Sequence, residues 1–154
     1  MKKVMIPLLA AMLIATMICC DGHSSTVENI ELKNFANSGC KGNGGTRADD
    51  EGRQEIAQYS VLHPGYLYIN HQNVMFNCCP GELSADILVS GHLITISESE
   101  QQQQCKCICP YDLSYEIGPL TEGETYTILI GRKGNEQKLA EFKFQNNLSG
   151  TWSF

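Results

Sequence analysis

A helical period is missing from this chain. After the first twenty or so residues, no stretch keeps apolar side chains at the three-to-four-residue spacing of an amphipathic helix. That excludes the architectures that bury such helices. Catalytic signatures are missing as well. There is no Gly-x-Ser-x-Gly elbow, no His-Glu-x-x-His and no glycine loop running into a helix. Positive charge is scarce, with 11 Lys and Arg against 17 Asp and Glu, a net charge of −6. That balance argues against a nucleic acid or an anionic bilayer surface as partner. Four scattered histidines and a single tryptophan, Trp152, complete the list of shortages. On this reading the chain is not an enzyme, and it has no assigned catalytic residue, metal or cofactor.

Long apolar runs are confined to one place. Lys2 and Lys3 precede Val4 to Ile18, which only Pro7 and Thr16 interrupt. A membrane span needs about 20 apolar residues, so this run fits a secretory leader. Cys19 and Cys20 follow where cleavage is expected. The arrangement resembles the lipobox of bacterial lipoproteins, whose cysteine is acylated after cleavage. The pattern's Leu and small residue stand here as Met17 and Cys19 for Cys20. For Cys19 they would be Thr16 and Ile18, a worse fit, so Cys20 is the expected lipidated residue. The predicted organisation is a signal peptide over 1–19, a tether over 20–26 and one domain over 27–154. Cleavage would remove two lysines and no acid, leaving nine bases against 17 acids.

Export decides how the remaining cysteines are read. Cys40, Cys78, Cys79, Cys105, Cys107 and Cys109 in a small exported domain are expected to form disulfides. In an extended strand the Cys105-x-Cys107-x-Cys109 triad would put all three thiols on one face. A bridge between the neighbours Cys78 and Cys79 would be a strained ring. Bridges within the triad would span about 6.5 Å, near the upper limit for a disulfide. With both kinds set aside, each triad cysteine pairs with one of Cys40, Cys78 and Cys79, and six of the 15 pairings stay open. Cys78 and Cys79 both reach the triad only if the strand stops or bulges at Cys79-Pro80. The competing reading is a thiolate site for Cu(I) or Zn(II), joined by His63, His71 or His92. The acidic run Asp49–Glu51 lacks the spacing of an EF-hand loop and is read as a solvated turn.

Alternation fills the rest of the chain. Ile30 and Leu32 mark a first strand over 27–35, and the glycine-rich 36–52 is a loop. Ala57, Tyr59 and Val61 alternate, then Leu67 and Ile69, then Val74, Phe76 and Cys78. Leu83, Ala85, Ile87 and Val89 follow, and a strand starts at Leu93. That strand runs into a polar stretch, Ser97 to Gln104, whose four glutamines, Gln101 to Gln104, are expected to form the tip of a hairpin. Leu113, Tyr115 and Ile117 alternate, as do Tyr126, Ile128 and Ile130. Ala140, Phe142 and Phe144 mark the last strand. Short strands with turn signals every eight to twelve residues indicate a sandwich or barrel.

Ile117-Gly118-Pro119-Leu120, Gly123 and Tyr126 to Ile130 resemble the L-x-x-G-x-x-Y corner of fibronectin type III and other immunoglobulin-like sandwiches. The resemblance implies that Leu120, Gly123 and Tyr126 pin a crossover between sheets, with the tyrosine hydroxyl bonded to backbone upstream. The antibody arrangement, a Trp between two framework cysteines, is absent. A wider pattern runs from Cys78-Cys79-Pro80-Gly81 through the triad and Pro110-Tyr111-Asp112-Leu113 to Ile130. It is similar to short cysteine-rich lipoproteins of Bacteroides-like bacteria, a group whose resemblance implies fold and location and no catalytic residue. The expected fold is therefore an all-β, immunoglobulin-like antiparallel sandwich stapled by disulfides. The expected function is that of a lipid-anchored envelope protein, a non-enzymatic binding or accessory module in the outer membrane, facing the periplasm or the outside. Its partners would be the membrane through the acyl anchor and an envelope protein or extracellular ligand. The alternatives are a secreted Cu/Zn-binding cysteine-rich domain and a protease-inhibitor-like sandwich.

Overall fold

The computed structural model describes residues 29–42 and 53–154. The predicted leader, the tether with Cys20, the start of the first strand at 27–28 and the acidic Asp49–Glu51 lie outside the described residues. The described strands are β1 (Glu31–Asn37), β2 (Ile56–His63), β3 (Tyr66–Asn77), β4 (Leu83–Ser90), β5 (Leu93–Glu100), β6 (Ile108–Gly118), β7 (Thr125–Arg132), β8 (Gln137–Lys143) and β9 (Ser149–Ser153). They form two packed sheets, one in the order β1-β6-β3-β2-β9 and the other in the order β4-β5-β7-β8. The fold is an all-β sandwich crossed by three disulfides.

The core follows from alternation. Leu67, Ile69, Leu113, Tyr115 and Ile117 from the larger sheet meet Ile94, Ile96, Ile128 and Ile130 from the smaller, all fully buried. Strands β3 and β6 form the spine and run antiparallel along the whole sandwich. One feature of β3 explains a change of phase in the sequence. Its inward residues are odd-numbered up to His71 and even-numbered from Val74. The ladder with β6 shifts between His71 and Val74, and Asn73 there has φ 62°. The extra residue of a bulge resets which parity faces the core, and asparagine tolerates the left-handed backbone that the bulge needs. Lys41 holds this kink from outside. Its Nζ lies 2.8 Å from Asn73 Oδ1 and 2.7 Å from Asp112 Oδ1.

Several expectations are corrected. The four glutamines, Gln101 to Gln104, are not a hairpin tip. Strand β5 continues to Glu100, and the glutamines then carry the chain across to the other sheet. A polar sequence remains strand here because Glu98 points into the core and finds partners there. Cys105 and Cys107 are not on a strand. Cys105 lies on a bend and Cys107 in irregular backbone just before β6, and only Cys109 of the triad is in the ladder. The loop predicted from residue 36 starts later, because β1 extends to Asn37. One pairing, β5 with β7, is parallel. Strand β6 lies between them in the chain and crosses the other sheet in the return direction, so β7 retraces the direction of β5. A further strand, β9, adds to the edge of β2. Its glycine hid it: Gly150 sits opposite Tyr59, and a Cβ there would lie 2.5 Å from the Tyr59 hydroxyl. The Tyr59 ring uses that space and stacks on Trp152 with centroids 4.0 Å apart.

Candidate functional site

The sulfur atoms gather at one end of the sandwich. Cys40 bonds to Cys109, Cys78 to Cys107 and Cys79 to Cys105, with Cα separations of 5.6, 5.6 and 5.4 Å. Each triad cysteine therefore meets one of the three upstream cysteines. Strand β3 ends at Asn77, so Cys78 and Cys79 leave the ladder before they must point the same way. Asn77 organises this end. Its Oδ1 accepts the Cys79 and Cys105 amides at 2.9 and 3.1 Å, and its Nδ2 donates to the Cys105 carbonyl at 2.6 Å. Sequence reasoning passed over Asn77. The signal was there, since asparagine beside a break in a strand is well suited to satisfying loop amides. A thiolate metal site needs reduced sulfur, and all six of these sulfurs are in disulfides. His63 and His92 sit at the other end, near Glu116 and Glu124 respectively.

At that other end the chain crosses from β6 to β7. The Thr121 amide donates to Tyr126 Oη at 3.0 Å. Tyr126 and Leu120 are buried, and Gly123 takes φ 89°, a conformation that side chains disfavour. Gly65 of the β2–β3 turn accepts the Leu120 amide at 2.7 Å.

Between the ends lies a buried ionic cluster. His71 from β3 and Glu98 from β5 are both fully buried and link the two sheets. His71 Nδ1 is 2.9 Å from Glu98 Oε1, and Nε2 is 3.0 Å from Glu55 Oε1. The Tyr115 hydroxyl donates to Glu98 Oε1 at 2.9 Å. Both ring nitrogens face carboxylate oxygens, so the arrangement suits an imidazolium that donates twice. Burial opposes that charge. The hydrogen bonds and charges of Glu55 and Glu98 outweigh it and raise His71 from 6.5 to about 9. Burial, then the Glu98 carboxylate, push the Tyr115 hydroxyl well above its ordinary range. The Phe154 ring stacks on the imidazole, centroids 4.5 Å apart. The sequence places Glu98 in a polar stretch with no role of its own, and reads His71 as an ordinary strand residue or, in the competing reading, as a metal ligand. Their sequence separation of 27 carries no local signal. Within the core His71 and Glu98 balance each other's charge, Glu55 is 37% exposed and keeps access to solvent, and the cluster works as a polar clasp between the sheets.

The outer face of the five-stranded sheet is different. Register places Ser149, Ser60, Tyr68 and Glu116 in one cross-strand row and Thr151, Gln58, Asn70 and Ser114 in the next. Glu116, at the β6 end of its row, is the one charged side chain among these eight. Gln58 accepts a bond from Gln72 at 3.0 Å. Among the described residues, the side chains of Ser60, Tyr68, Asn70, Ser114, Ser149 and Thr151 have no hydrogen-bond partner. The surface forms a shallow trough of about 330 Å³ over β2, β3 and β9. A larger groove, about 730 Å³, opens between β1 and β4 beside the disulfides. Its walls, among them Phe35, Leu83 and Tyr111, point to no ligand chemistry. Comparisons with protein families, curated proteins and solved structures find no match to this chain.

Proposed function

We propose that this chain is a non-enzymatic binding module of the cell envelope, anchored through an acylated Cys20, with the outer face of its larger sheet as the binding surface. The observation that carries the reading is the row of unengaged donors and acceptors around Tyr68 and Asn70. These groups stand on a sheet that the β3–β6 spine holds rigid, and a fixed array of polar groups loses little conformational entropy on binding. The disulfides support the exported location. The two halves of the proposal are tested separately. Radiolabelled palmitate is expected in the wild type and not in Cys20→Ser, and unchanged labelling removes the anchor. For the surface, labelled mature protein is overlaid on envelope and extracellular fractions beside Tyr68→Ala. Retention that depends on Tyr68 is expected, and equal retention by both proteins sinks the binding surface.

A further inference from the structure

The proposed binding surface also carries a statement about ligand chemistry. On β3 the outward side chains read Tyr66, Tyr68, Asn70 and Gln72, because successive outward positions are two residues apart. This line of two phenol rings followed by two amides lies near the middle of the sheet. Ser60 and Gln58 flank it on β2, and Ser114 and Glu116 flank it on β6. The nearby charges are already engaged. Lys33 pairs with Glu31 at 2.8 Å and reaches the Tyr66 hydroxyl at 3.4 Å, and Glu116 takes a bond from Asn34 at 3.1 Å. The trough itself is left without charge.

Each ligand class makes its own demand on such a surface. A nucleic acid or other polyanion needs cations, and this protein is acidic. A lipid surface needs a broad apolar face, which this is not. An extended peptide adds to a free sheet edge through its main chain, whereas this is the face of a sheet. A neutral chain of sugars offers alternating hydroxyl donors and acceptors that match serine, threonine and amide side chains. It also has apolar C–H faces that lie against aromatic rings. We infer that the face centred on Tyr68 and Asn70 binds a neutral oligosaccharide, with Tyr68 as the stacking platform and Gln58, Asn70 and Thr151 as hydroxyl partners. This inference rests on the binding-module reading above and adds the ligand class to it.

The test is calorimetric titration of the oxidised mature protein with a panel of neutral oligosaccharides: glucans, mannans, xylans and galactans. At least one member is expected to bind. Tyr68→Ala should weaken that binding about tenfold or more, an order of magnitude typical of losing an aromatic anchor. Asn70→Asp, which keeps the shape and replaces an amide donor by a carboxylate, should weaken it several-fold. Both side chains point away from the core, so thermal melting of each variant is expected to match the wild type. Leu88→Lys, on the outer face of the other sheet, should leave binding unchanged. Affinity should also hold between low and high salt, as it would for an uncharged contact. No binding to any member of the panel overturns the inference, as does equal binding by wild type and Tyr68→Ala. If the panel fails while the overlay still finds a Tyr68-dependent ligand of another class, the sugar is wrong and the binding module stands. If neither experiment shows dependence on Tyr68, both are wrong.

Discussion

At one end of the sandwich three disulfides gather, two of them tying the chain segments that pass between the sheets, whereas at the other end a buried tyrosine and a few backbone hydrogen bonds hold a similar crossing. The difference lies in the state on which each device acts. A disulfide works largely by restricting the unfolded chain, in the chain-entropy account. The tyrosine works in the folded state, by burying a ring and occupying a backbone amide. At the disulfide end Cys78, Cys79, Cys105 and Cys107 lie outside the ladders, and Asn77 collects the Cys79 and Cys105 amides. The corner end has buried Leu120 and Tyr126 to pack. All the bridged cysteines but Cys109 lie where regular hydrogen bonding stops.

The largest effect should come from removing the covalent end altogether. Loops of 69, 29 and 26 residues correspond to about 4.4, 3.6 and 3.5 kcal/mol when each bridge is taken alone. Full reduction is therefore expected to consume most of a typical stability of about 5–15 kcal/mol. Denaturant midpoints with and without reductant check this, and a reduced protein that melts with the oxidised one would show that the sulfur end is held by packing. Next comes the clasp between the ends. Glu98→Gln keeps the shape but takes a negative charge from beside His71, and breaking a buried pair on one side costs about 3–5 kcal/mol. Equilibrium unfolding of oxidised protein reads it, and a loss below about 1 kcal/mol would mean that the clasp is solvated.

Tyr126→Ala should cost a similar amount, about 3–5 kcal/mol, as emptied aromatic sites do. Tyr126→Phe should cost about 1–3 kcal/mol by removing the acceptor for the Thr121 amide. Both are to be measured with disulfides intact, since otherwise the unfolded reference changes. Midpoints equal to wild type for both would remove the corner from the comparison. The pH dependence is the subtlest test. His71 is raised from 6.5 to about 9, so its contribution is fully present below its unfolded value near 6.5 and is lost as pH rises through about 9. The shift corresponds to about 3 kcal/mol. Stability of the wild type should fall across that window more than that of Glu98→Gln. Parallel curves would take the imidazolium out of the account.

Periodicity by itself determined the strands, because a side-chain repeat of two is a local property that survives without knowledge of neighbours. Leu83 to Val89 and Leu113 to Ile117 were legible for that reason, and so was the sandwich they build. The geometry of adjacent and alternate cysteines likewise limited the pairings to links between the triad and Cys40, Cys78 and Cys79. The exact pairs were a tertiary matter, fixed by where β3 ends and how Asn77 holds the bends. Three features were decided only by the packed structure. Glu98 is a core residue because His71 and Tyr115 lie across the sheet interface. Strand β9 exists because Tyr59 fills the space above Gly150. The trough around Tyr68 is a surface because β2, β3 and β9 align their uncharged side chains in adjacent rows. Each depends on residues distant in the chain, and a local pattern carries no record of what a side chain will meet across a sheet.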